Sequence, residues 1–202
     1  MLAGISAAAA AIADPQAAAP PPAAGPPPAV DIAPAAGPPP VKGPSPVKPA
    51  VCLVSGDGYL RAHLAGAIDA HLDWPNSGTR CEGESRDKPP GVRLSFQRAH
   101  QGTPNLLLVF GLTGVHLGLP AHGIGVNLTV IVQGGSRIFG TLGDSRCTVD
   151  TLKQRALPVK GSYRIEARGF CTQPAHAVRG EGDLLVSTFE FAGPVTYEAA
   201  KN

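Results

Sequence analysis

Beyond residue 50 apolar and polar residues alternate with period two over most of the chain. Between residues 59 and 74 the even positions hold Leu60, Ala62, Leu64, Ile68, Ala70, Leu72 and Trp74. The odd ones hold Tyr59, Arg61, His63, Asp69, His71 and Asp73. That is the signature of a strand with one buried face. Leu60, Leu64, Ile68 and Leu72 also recur every four residues, as on a helix, but Gly66 in the middle and the lack of caps favour strand. Sixteen residues are too many for one ordinary strand. The spacing therefore predicts a hairpin turning at Ala65-Gly66-Ala67. A three-residue loop sets Leu64 opposite Ile68, Ala62 opposite Ala70 and Leu60 opposite Leu72. It also sets His63 across from Asp69 and Arg61 across from His71. Carried outward, this register brings Cys52 opposite Arg80, one residue from Cys81, and predicts a Cys52–Cys81 disulfide.

The pattern continues strand after strand. Val92, Leu94 and Phe96 alternate with Arg93, Ser95 and Gln97. Residues 106–110 are continuously apolar and read as a central buried strand. Val126, Leu128, Val130 and Val132 line one face of the next. Gly134-Gly135 marks a hairpin turn into residues 138–142. Residues 147–152 and 163–171 form another pair, with Tyr163, Ile165 and Ala167 on one side and Arg164, Glu166 and Arg168 on the other. A turn centred near Val159 sets Cys147 opposite Cys171, a second expected disulfide. The last strand, 184–191, is read with Leu185, Phe189 and Phe191 on one face. Residues 79–91 and 111–125 read as loops, the first charged and the second glycine-rich. Eight to ten short strands punctuated by Gly and Pro predict an all-β domain over 51–202. Its expected form is a two-sheet antiparallel sandwich of jelly-roll or Greek-key type, with a closed barrel as the alternative.

Composition divides the chain. Fourteen of the 22 prolines precede residue 50. AAGPPP occurs at 23–28 and again at 35–40. Residues 14–50 are expected to be a disordered, polyproline-like spacer, or, through Pro44-Ser45-Pro46, a ligand for a proline-recognising domain. Residues 1–13 are small and apolar and end in Ala11-Ile12-Ala13, an A-x-A pattern read as a truncated signal peptide. Ile5 stands where a lipidated cysteine would have to be. This layout resembles that of bacterial envelope proteins that set a β-rich module behind a signal segment and a proline-rich spacer.

The four cysteines are widely spaced, which fits two disulfides and an oxidising compartment better than zinc. Each loop closure contributes on the order of 3.5 kcal/mol in the chain-entropy model. The expected location is therefore periplasmic or secreted. Net charge is +2 with both signs mixed, which argues against nucleic acid as a partner. No apolar run reaches the length of a transmembrane helix.

Chemistry is sparse. Gly143-Asp144-Ser145-Arg146-Cys147 fails as a nucleophile elbow, and neither a P-loop nor a dinucleotide fingerprint appears. His116 and His122, with His100 or His176, lack diagnostic ligand spacing, so no metal or cofactor is expected. Glu82, Glu84 and Asp87 are interleaved with Arg86 and Lys88 and read as a solvated loop. Asn127-Leu128-Thr129 matches a glycosylation acceptor. His63 and Asp69 form a candidate acid/base pair, with His71 beside them. Tyr59 is an exposed aromatic, whereas Trp74 falls on the core face. The expected function is a non-enzymatic module that binds an envelope protein or glycan. A small hydrolase or metal-dependent enzyme using the loop histidines is the alternative, and a structural envelope component is a third reading.

Overall fold

The computed structural model describes residues 50–98 and 105–197. The signal-like segment, the spacer up to residue 49, and His100 lie outside the described residues. The elements are β1 (Tyr59–Gly66), β2 (Ala70–Pro75), β3 (Arg80–Asp87), β4 (Pro90–Arg98), β5 (Leu106–Thr113), β6 (Ala121–Val132), β7 (Ile138–Gly140), β8 (Cys147–Ala156), β9 (Ser162–Cys171), β10 (Ala175–Arg179) and β11 (Asp183–Thr196). The described residues are all-β, and no helix among them is long and apolar enough to cross a membrane.

In place of the two stacked sheets of a sandwich, the strands form one sheet whose pairings close into a ring. The run β6–β5–β4–β3 reaches β11 through a single parallel bridge, Glu84 to Thr196. From β11 the ring returns to β6 twice, through β9 and β8 and through β10 and β7. The β1–β2 hairpin lies along the other edge of β11. Closure of this kind removes most unpaired strand edges.

Phenylalanines pack the inside of the ring. Phe96 of β4, Phe110 of β5, and Phe189 and Phe191 of β11 are all buried, with neighbouring ring centroids 4.7–5.2 Å apart across strands. Each such side chain contributes roughly 1.5–3 kcal/mol by leaving water.

Several expectations shift in register. β1 and β2 pair with Leu60 opposite Trp74, Ala62 opposite Leu72 and Leu64 opposite Ala70. The connecting loop is therefore two residues longer than expected, and because a slip of two preserves parity, the buried face is unchanged. Gly66 takes φ +109° at the end of β1, where a Cβ would meet the Asp183 carbonyl.

The Cys52–Cys81 bridge forms, with Cα atoms 4.8 Å apart, but not on an extension of that ladder. Cys52 sits in the lead-in loop, bonded through its N–H to the Asn76 carbonyl, and Cys81 sits on β3. Cys147 does stand opposite Cys171, and their bridge forms.

Residues 80–87, expected as loop, are a strand. Small Cys81, Gly83 and Ser85 alternate with Glu82, Glu84 and Arg86, so the period was present without bulky apolar residues. Gly83 is required there because a Cβ would collide with the Pro194 carbonyl and Val195. The glycine-rich stretch 111–125 is loop only in its middle, since β5 runs to Thr113 and β6 begins at Ala121. In β11 Leu184 and Val186 face inward, then Phe189 and Phe191, while Leu185 is only half-buried. Leu185 therefore does not share a face with the phenylalanines.

Gly169 of β9 tests this packing. A Cβ at this position would strike the Thr148 carbonyl and the Phe189 ring. Gly169→Ala is expected to cost about 1–3 kcal/mol, read from the urea midpoint of the oxidised full chain. Gly135→Ala meets only ordinary contacts and should leave the midpoint unchanged or slightly raised. Equal behaviour of the two variants would refute the close approach of β8, β9 and β11.

Candidate functional site

The outer face of β2, β1, β11, β9 and β8 is polar, and two β-bulges interrupt it. On β11 the bulge is Ser187: His63 pairs with Thr188 but Leu64 with Val186. On β8 it is Asp150: Val149 pairs with Gly169 but Thr151 with Arg168. Between them lies an open cleft of 370 Å³, whose lining includes Arg61, His63, His71, Asp150, Arg168, Phe170 and Glu190. Bulges re-aim side chains and recur beside functional sites.

His63 and His71 face each other across β1 and β2. Their rings stack with centroids 4.1 Å apart and planes 10° from parallel. This corrects the expected His63–Asp69 pair: Asp69 sits exposed in the β1–β2 loop, and the register brings His71 in its place. Arg61 likewise meets Asp73 rather than His71. Ser187 lies 3.1 Å from His63 Nδ1 and 3.4 Å from the His63 carbonyl. Both contacts form together if Ser187 donates its one hydroxyl proton to the carbonyl and accepts from Nδ1–H at Oγ. Among the described residues no carboxylate bonds the His63 ring, so the contact lacks the orienting acid of a nucleophilic triad. It ties the bulged residue of β11 to β1 through its side chain.

Charges on this face run in a chain. Arg61 Nε lies 3.3 Å from Asp73 and its Nη1 3.9 Å from Glu190. Tyr59 donates its hydroxyl to Glu190 at 3.0 Å, and the Arg61 guanidinium lies 5.0 Å from the Tyr59 ring centroid. Burial pushes the Tyr59 hydroxyl up to about 12, with the Glu190 hydrogen bond and charge adding to it. Tyr197 is also pushed up to about 12, again chiefly by burial.

The remaining histidines stand apart. His116 is exposed in the loop before β6. His122 directs Nδ1 at the Asp150 carbonyl, 3.2 Å away. His176 pairs with Asp183 at 2.7 Å. Among the described residues no three His, Cys, Asp or Glu side chains gather as a metal set.

A second concavity, of 530 Å³, is apolar. Leu53, Val54, Leu157, Pro158, Val159 and Pro194 line it, and Val54 is fully exposed. One wall, the lead-in loop, is tied down at several points. Asn76 accepts the Leu53 and Gly58 N–H groups and donates to the Leu53 carbonyl. Arg155 bonds Asp57 at 2.9 Å. Arg164 Nε is also 2.9 Å from Asp57, but without the alignment of a hydrogen bond, so charge alone holds that contact. The hydrogen bond from Ser55, followed by Arg164 and Arg155, holds the Asp57 carboxyl below its usual range against a desolvation effect in the other direction.

Asp150, Arg168, Phe170, Ser187 and Glu190 were not singled out from sequence. The signal was there for the bulges. Buried parity changes from Val149 to Leu152 and again from Val186 to Phe189, and a parity switch inside a strand marks an extra residue.

No family model matches the chain, and no match is found among curated proteins or solved structures.

The Tyr59–Glu190 contact makes a pH prediction. The hydroxyl is raised from 10.0 to about 12, so its stabilising contribution is complete below pH 10 and is lost as pH rises from 10 towards 12. Ultraviolet titration of the native protein should show Tyr59 ionising late. Tyr59→Phe should cut that late step to the part that Tyr197 contributes and lessen the alkaline loss of stability. A Tyr59 that ionises at the ordinary tyrosine pH would contradict the buried contact.

Proposed function

We propose that this protein is an exported, non-enzymatic binding module whose polar cleft engages a glycan of the cell envelope. The observation that carries the reading is the pair of bulges flanking one cleft. Each adds a residue to its strand at the cleft's border, where a bulge re-aims the neighbouring side chains. The cleft offers stacked imidazoles and Phe170, which is 36% exposed, as flat surfaces beside charged hydrogen-bonding groups. Flat rings with a few directional polar groups are what a sugar requires. Two disulfides are consistent with an oxidising compartment and support the reading of a periplasmic or secreted module.

The apolar groove favours a second reading, a protein partner. Val54 and Val159 are held out into solvent on fixed walls, as hydrophobic anchors of an interface are.

One experiment separates the two. The full chain is assayed against envelope polysaccharides by affinity electrophoresis and against envelope extract by pull-down. Under the leading reading His71→Ala with Phe170→Ala weakens polysaccharide retention about tenfold, the loss of one or two stacking contacts, and Val54→Asp with Val159→Asp leaves it intact. A stoichiometric protein partner lost only in the valine variants would replace the glycan reading with the second. Retention unaffected by either pair would remove both surfaces from consideration.

A further inference from the structure

The cleft does not end at Arg168. A second depression of 210 Å³ adjoins it, lined by Thr151, Lys153, Glu166, Ala167, Arg168 and Glu190, and shares Arg168 and Glu190 with the first. The two form one track across β11, β9 and β8.

Charge in this depression is lopsided in a specific way. Both acids are already engaged. Glu190 accepts from Tyr59 and sits 3.9 Å from Arg61, and Glu166 accepts from Arg164 at 2.6 Å. Neither base is engaged: the side chains of Arg168 and Lys153 make no ion pair or hydrogen bond to any described residue, although the ladders set Arg168 opposite Glu190 and Lys153 opposite Glu166. On the same face Arg61, Arg155 and Arg164 each have a carboxylate within reach. The pairing register sets Thr151 directly opposite Arg168, so a hydroxyl donor lies beside the free guanidinium.

We infer that the second depression takes the carboxylate of an acidic sugar, held by Arg168 and Lys153, while the adjoining sugar ring packs in the cleft against His71 and Phe170. This rests on the glycan reading above and names its substrate class. A guanidinium fork matches a planar carboxylate with two parallel hydrogen bonds, and Lys153 adds a second cation. A dianionic phosphate fits less well. Three carboxylates, Asp150, Glu166 and Glu190, line the same track, and their repulsion grows with ligand charge.

The test is calorimetric titration of the full chain with tetragalacturonate and with its fully methyl-esterified form, which has the same rings without the charge. The acid should bind at least about tenfold more tightly at low salt, the worth of one charge-assisted pair. Arg168→Ala and Lys153→Ala should each erase most of that preference, and Lys153→Ala, which alters only the second depression, should leave the ester unchanged. Arg168→Lys should recover part of the loss. Equal binding of acid and ester, sensitive to His71→Ala and Phe170→Ala but not to Arg168→Ala, would overturn the carboxylate assignment and leave the glycan reading standing. No binding of either form would overturn both. Displacement of the acid by inorganic phosphate at equal concentration would also overturn the assignment, by showing an unselective anion site.

Discussion

β11 has more neighbours than any other strand. Its fourteen residues pair with β1 and β3 along one edge and with β10 and β9 along the other. A straight strand of that length cannot keep one face inward for four partners while the sheet curls around it. Ser187 resolves the conflict. The extra residue switches the inward set from Leu184 and Val186 to Phe189 and Phe191, so the first half can pack under β1 and the second half can fill the ring. The phenylalanine cluster and the attachment of the β1–β2 hairpin both depend on this one inserted residue. So does the position of His63, whose ring and carbonyl are both within reach of the Ser187 hydroxyl.

The same insertion shows how far the sequence could be read. Alternation identified the inward residues of β1, β2 and β4, and of β9 from Ile165 on, because those stretches keep one parity. It erred on Leu185, where a single parity was carried across the bulge. It missed β3, whose inward positions are occupied by cysteine, glycine and serine. Bulk is the usual marker of an inward position, and β3 lacks it because the Pro194 carbonyl and Val195 lie too close for a larger side chain at Gly83. The ring itself was not legible: which strand lies beside which is decided by non-local pairing, and alternation carries no information about partners.

The candidate site was legible in part for the same reasons. Tyr59, His63 and His71 were placed on an outward face, and they are on it. Their partners were misassigned because the loop between β1 and β2 is two residues longer than the tightest consistent hairpin, which replaces Asp69 with His71 opposite His63. This changes the chemistry. A His–Asp pair is a potential proton shuttle, whereas two stacked imidazoles form a flat polar wall. The residues from β8, β9 and β11 that complete the cleft lie far away in sequence, and no local pattern could join them to the hairpin.

The second disulfide ties the fold to the cleft. The β8–β9 turn is closed by the bond from Leu157 N–H to the Ser162 carbonyl, and Ala156 faces Tyr163. From there nine residue steps lead back to Cys147 but only eight lead on to Cys171. With both the turn and the Cys147–Cys171 bridge fixed, β8 holds one residue more than its partner, and that residue must leave the ladder somewhere between them. Asp150 is where it leaves. A slip of one residue would relieve the excess, but it would turn Ile165, Ala167 and Gly169 outward and bury Arg168, which the core cannot accept. The bridge closes off that escape by holding Cys171 inward and opposite Cys147. A covalent constraint at the end of a hairpin thus keeps Asp150 bulged and holds Arg168 and Phe170 on the outer face, where they line one cleft with the stacked imidazoles of β1 and β2.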